Sequence, residues 1–212
     1  MASSLIHIAV ANELNKQLRK DYVKLMLGTI APDISKELGE SKTYTHFLGY
    51  DNPNVPILSK FLSIYKDYLY DDFVLGYYIH LYVDYLWFKY FIPEIYDSSK
   101  SLITKSDGTK VVCTGNMATL YIYNDYTNLN QKLLADYKLD LEFLYLDIPK
   151  INNIIMEAQV DKIDIIVKKC REIIEKSKVG KDMIFDMENV DNFISLSVRI
   201  ISSNLMELGI LY

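Results

Sequence analysis

Residues 76–87 read "GYYIHLYVDYLW", the most apolar and aromatic stretch of the chain, yet they include His80 and Asp84. Between Phe73 and Phe88, Asp84 is the only formally charged residue. A long apolar run without strict alternation reads as a helix that is buried almost all round. Four-residue spacing puts the imidazole and the carboxylate on one face of that helix. A buried carboxylate without a partner is costly, so Asp84 requires a cation, a set of hydrogen-bond donors, or a proton.

Helical periodicity dominates on either side of this stretch. Residues 4–19 place His7, Val10, Ala11, Leu14 and Leu18 on one stripe, with Asn12, Glu13, Asn15, Lys16 and Arg19 facing out. A short helix is expected from Asp21 towards Gly28, and another over 54–69 with Pro56 near its start. Asp71 and Asp72 suit the opening turn of the central helix, which should run to about Pro93. Next, "SLITKSDGTKVVC" gives two short β-rich runs around Asp107-Gly108, a hairpin signal. Helices are expected again at about 115–136, 149–158, 160–177 and 189–208. No internal repeat or low-complexity linker interrupts the chain. The expectation is all-α: a single multi-helix domain over 1–212 with a small β-hairpin insert near residues 102–113.

Composition narrows the function classes. Half of the 212 residues are apolar, with 8 Gly and 5 Pro, which suits a packed core and not disorder. A net charge of −5 and the lack of a basic cluster argue against a nucleic-acid-coating surface. The longest apolar candidate for a membrane span, 73–92, is broken by Asp84 and Lys89, so no transmembrane segment is expected. The opening "MASSLIHIAVANELNKQL" lacks the basic n-region and apolar run of a signal peptide. Cys113 and Cys170 are far apart and form no CxxC pattern, so they read as reduced thiols. Together these features predict a cytoplasmic protein.

The chain has only three histidines, His7, His46 and His80, and all lie in its first 80 residues. Taken singly, an inward-facing histidine is more often a hydrogen-bonded core residue than a ligand. Asp33, in the loop "APDIS", could simply cap a helix starting near Ile34. A structural His80–Asp84 pair would satisfy both groups. A metal would satisfy them better, since imidazole and carboxylate are typical zinc ligands, although HxxxD alone is a weak signal.

"SLIHIAVA", "GTIAPDI", "THF" and "GYYIHLYVDYLW" occur in the order and approximate spacing of the zinc-dependent phospholipase C family, which is related to the S1/P1 nucleases. The chain resembles that family over roughly its first 95 residues, and the ordered set uses every histidine present. The resemblance implies a helical fold and one metal held by Asp33, His46 and His80. Asp84 would reach between that metal and a second one, which His7 would help to bind. It also implies that Asp33 is catalytic, as a ligand and general base. Secreted relatives use a free N-terminal tryptophan as a ligand, whereas the only tryptophan here is Trp87, so residues near Ser3 and Ser4 would have to substitute. The later histidines that hold a third zinc have no counterpart after residue 80; Asp125 or Asn128 could offer oxygens instead. One or two ions are therefore expected, zinc or else iron or manganese.

Two functions compete. The first is a metal-dependent hydrolase acting on a small-molecule phosphoester or a phospholipid headgroup, with metal-activated water as the nucleophile. Tyr44, Tyr78 and Tyr82 could line its pocket, but core positions suit tyrosines on a buried helix better. The second is a non-catalytic helical module that keeps a metal or a His–Asp network as a structural staple. An open coordination position would favour the first, a closed site the second. The HD-type phosphohydrolases are excluded because no His-Asp dipeptide occurs, and neither cysteine lies in a nucleophile motif.

Overall fold

A computed structural model of the protein describes residues 2–105 and 107–212. Met1 and Ser106 lie outside this range, so the turn of the expected hairpin is described without Ser106. Among the described residues the fold is all-α with a small antiparallel sheet.

Helix α1 (Ser4–Leu18) starts where Ser3 Oγ accepts from the Ile6 N–H. It ends where Arg19 takes a left-handed conformation. Helix α2 (Tyr22–Ile30) is capped by Asp21 and leads through a 3-10 turn at Ala31–Asp33 into the short α3 (Ile34–Glu37). After α4 (Leu58–Tyr65) comes the central helix α5 (Asp72–Leu86), where Asp71 accepts from the N–H groups of Phe73 and Val74. Short α6 (Ile92–Ile95) precedes strands β1 (Tyr96–Asp97), β2 (Leu102–Thr104) and β3 (Lys110–Val112). Helices α7 (Gly115–Asp136), α8 (Ile163–Glu175) and α9 (Met187–Glu207) complete the chain, the last opened by a reciprocal Asp186–Asn189 capping box.

Nearly every side chain of α5 is buried, as the opening stretch predicts. Helix α2 lies along it at unusually close range. A Cβ on Gly28 would stand 2.1 Å from the Phe73 carbonyl oxygen, and a Cβ on Gly76 2.1 Å from that of Leu25. Each glycine thus lets the other helix's backbone reach contact distance. Helix α1 packs on α2 and α9, and one connected cluster of buried apolar side chains extends from Ala2 to Leu211. No helix is long and apolar enough to cross a membrane among the described residues.

Three expectations need correction. Residues 149–158 form no α-helix: the segment is irregular apart from a 3-10 turn at Met156–Ala158. Pro149 and the Asn152-Asn153 pair favour local turns over a continuous helical ladder. The 54–69 helix shrinks to α4 plus a 3-10 turn at Lys66–Tyr68, because Pro56 pairs in an isolated bridge with Leu48 and the chain before it turns, with Val55 N–H donating to the Asn52 carbonyl. Pro93 does not stop the central helix. A π-helical turn at Trp87–Phe91 follows α5, and Pro93 falls in the first turn of α6, where its missing N–H costs little. The expected hairpin forms as β2 and β3, with Ile103 opposite Val111, and β1 adds a strand at its edge, with Tyr96 opposite Ile103.

Candidate metal centre

Four separate segments deliver His7, Asp33, His46, His80 and Asp84 to one interior point. His7 comes from α1, Asp33 from the turn after α2, His46 from the turns before α4, and the HxxxD pair from α5. All five are buried, with His7, His80 and Asp84 fully so and Asp33 retaining 8% exposure. Asp33 starts α3 but makes no capping hydrogen bond, so its carboxylate is left to face the histidines.

Distances show how tightly they converge. His80 Nε2 lies 3.3 Å from His46 Nε2 and 3.9 Å from Asp84 Oδ2. His46 Nε2 lies 3.5 Å from Asp33 Oδ1 and 3.7 Å from Asp84 Oδ2. His7 stacks on His80 with ring centroids 3.8 Å apart, and its Nε2 is 3.4 Å from Asp84 Oδ1. The ligand atoms fall into two triads, His7–His80–Asp84 and Asp33–His46–His80, each with its atoms within 4.8 Å of one another.

Outer partners fix which nitrogens face inward. His80 Nδ1 lies 2.8 Å from the Thr29 carbonyl, which can only accept, so Nδ1 carries the proton and Nε2 presents a lone pair. His46 Nδ1 is held 2.9 Å from Thr45 Oγ1, which also contacts Ser35 Oγ at 3.0 Å. With Nδ1–H donating to that hydroxyl, His46 Nε2 likewise presents a lone pair. Two lone pairs then meet at 3.3 Å, an arrangement that a cation, a shared proton or the other His46 tautomer relieves. Tyr77 donates to the Thr45 carbonyl at 2.6 Å and steadies the same turn.

Ionisation follows from this setting. Burial opposes the charge on Asp33, yet His46, His80 and His7 pull its carboxyl down to about 2. Burial, reinforced by His7, pushes the His80 imidazole down to about 3, which keeps it neutral and ligand-competent at pH 7. Burial also opposes ionisation of Asp84, and the adjacent histidines help to hold it well below the usual carboxylate range.

The donor set fits a divalent ion. His7 Nδ1, His7 Nε2, Asp33 Oδ1 and Asp84 Oδ2 are buried with no hydrogen-bond partner among the described residues. Buried polar atoms are rarely left unpaired; Asp33 Oδ1 belongs to one triad, and Asp84 with one His7 nitrogen to the other, while the second His7 nitrogen diverges from the first. Asp84 Oδ1 is satisfied differently, by the Ala2 N–H at 3.0 Å.

Asp125 and Asn128, the candidate substitutes for late ligands, do other work. Asp125 Oδ1 accepts from Met183 N–H at 2.7 Å, and Oδ2 from those of Ile184 and Phe185 at 2.8 and 3.2 Å. Burial nonetheless pushes its carboxyl upward. Asn128 donates to the Lys181 carbonyl at 2.9 Å. These contacts tie the segment before α9 onto α7. Asp125→Ala should therefore cost about 2–4 kcal/mol of stability by leaving three backbone donors unpaired, with no loss of metal. Denaturant unfolding and metal analysis of the folded variant check this; lost metal at unchanged stability would contradict it.

The tyrosines divide as their exposure dictates. Tyr78 is core and donates to Asn204 Oδ1, Tyr82 is part-buried, and Tyr44 is exposed. Of the five clustered residues, Asp33 alone lines a cavity of about 310 Å³, whose walls include Ser3, Ser4, Lys36, Tyr123 and Asn130. The orienting Thr29 and the pocket residue Lys36 carried no recognisable sequence signal, whereas Thr45 is the first half of the "TH" dipeptide.

Fold and site define a helical protein with a buried His/Asp cluster able to hold a metal ion. Neither a family model, nor a curated protein, nor a solved structure matches the chain.

Proposed function

We propose that the protein is a metal-dependent hydrolase of a phosphoester, a small molecule or a phospholipid headgroup. Asp33, His46 and His80 would hold one ion, and Asp84 and His7 would reach a second; zinc suits the donors, with iron or manganese as alternatives. When bound, such an ion lowers the pKa of a coordinated water and polarises a phosphoryl oxygen. The observation that carries the reading is the position of Asp33, which belongs both to the buried cluster and to the pocket wall. Substrate in the pocket would therefore meet the cluster at Asp33. A carboxyl held at about 2 serves better as an anionic ligand than as a base poised near neutral pH, so ligation is the role we assign to it.

Full burial of His7, His80 and Asp84 favours a second reading, a structural metal or His–Asp staple. Turnover separates the two. Protein purified without chelator should contain metal and hydrolyse bis(p-nitrophenyl) phosphate or p-nitrophenyl phosphate, and lose both on chelation. Metal at 100 times its Kd adds about 2.7 kcal/mol to the native state. For a chain of this size, stripping should then lower Tm by about 5–10 °C, and zinc or manganese should restore it. Bound metal without turnover leaves the staple, and a melting curve unmoved by confirmed metal removal refutes both metal roles.

A further inference from the structure

The pocket beside Asp33 holds three lysines, and two have a glutamate within ion-pair distance. Lys169 Nζ pairs with Glu37 at 3.3 Å and Lys176 Nζ with Glu172 at 4.0 Å. Lys36 has no carboxylate within ion-pair distance among the described residues. Its Nζ instead donates to Tyr123 Oη at 3.1 Å and sits 5.1 Å from that ring's centroid. Lys36 follows Asp33 by three residues around the turn into α3, a spacing that sets both side chains on the same side. Both line the pocket, as does Asn130, which is buried with its amide oxygen unpartnered. An ammonium without a direct ion pair among the described residues, held by a tyrosine at the wall next to a candidate metal ligand, is a ready partner for an anionic oxygen.

We infer that Lys36 is a phosphoryl-binding residue and that it selects dianionic phosphomonoesters in solution over phosphodiesters. The inference rests on the hydrolase reading and adds a substrate class to it. The charge count motivates the choice. Two divalent ions against Asp33 and Asp84 leave two positive charges, and Lys36 adds a third. A monoester dianion compensates that excess better than a diester monoanion. The ammonium would contact an oxygen that a diester uses for its second ester bond. Tyr123 positions Lys36 and does not itself touch the reacting atoms.

The test uses the full chain, both as purified and metal-loaded, with inorganic phosphate as the probe in calorimetry. Lys36→Met keeps the aliphatic stem and removes the charge. It should weaken phosphate binding about tenfold or more, the range expected when a charged hydrogen bond is lost. Lys36→Arg should recover part of it. Lys168→Met removes the same net charge from outside the pocket and should leave affinity within about twofold. On p-nitrophenyl phosphate Lys36→Met should raise KM with a smaller change in kcat, while KM for bis(p-nitrophenyl) phosphate stays nearly constant. Equal phosphate affinity in wild type and Lys36→Met, no phosphate binding by wild type in either state, or binding only to phosphatidate vesicles overturns the inference. Phosphate binding that depends on Lys36 without turnover of either ester supports the subsite and sinks the hydrolase reading, so the two fail separately.

Discussion

Asp84→Asn should leave a folded protein whose metal affinity falls about tenfold or more, the loss expected when a charged contact is removed. Asp84 Oδ1 accepts from the Ala2 N–H, and an asparagine carbonyl oxygen can keep that bond. Its Oδ2 has no hydrogen-bond partner among the described residues and faces His46 Nε2 at 3.7 Å and His80 Nε2 at 3.9 Å. In the variant an amide N–H₂ stands there, 3.7 Å from the His46 Nε2, where a small shift brings it to an imidazole lone pair, and the metal-free fold sheds a buried charge. Such exchanges are often neutral or stabilising. The same N–H₂ offers no lone pair to a cation, and the negative charge that would link two ions is gone. The metal-free variant should therefore melt at or above the temperature of metal-free wild type, while metal analysis of the folded variant shows the loss. Full occupancy in Asp84→Asn would refute a bridging role, and an unfolded variant would show that the carboxylate is structural.

How far the sequence announces this site depends on the kind of contact involved. Asp84 is conspicuous because a charge interrupts an apolar helix, and the three histidines are conspicuous because they are few. Local signals also work: α7 spans the expected 115–136, and Gly108 takes the positive φ that its Asp-Gly turn requires. Asp125 looks much like Asp84 on paper, a carboxylate inside a helix, yet its partners are backbone N–H groups 58 to 60 residues further on. No spacing rule exposes a backbone partner at that distance. Thr29 is hidden for the same reason, since the group that orients His80 is its carbonyl, which every residue has. Pro93 misleads because the π-helical turn before it changes which residue occupies the first turn of α6.

Gly76→Ala should cost about 3 kcal/mol or more, a clash matched among the described glycines only by Gly28→Ala. The new Cβ would lie 2.1 Å from the Leu25 carbonyl oxygen and 2.9 Å from Thr29 N. Those are backbone atoms of α2, so no rotamer change relieves the clash and the two helices must separate. Overpacking commonly costs 1–3 kcal/mol when side chains can adjust, and here they cannot. Against a typical total stability of about 5–15 kcal/mol that is a large share, equivalent to a fall in Tm of about 6–12 °C. Separation also acts on the site, because His80 lies one turn beyond Gly76 and bonds the carbonyl of Thr29, next to Gly28. Loss of that outer hydrogen bond should weaken metal binding about 10–100-fold even in molecules that remain folded. Gly115→Ala is the control: its Cβ would meet only Tyr96 Oη at 3.6 Å, in the first turn of α7, where alanine favours the helix. A Gly76→Ala protein as stable as wild type, with metal affinity intact, would show that the α2–α5 crossing is looser than 2.1 Å implies and that it does not set the position of His80.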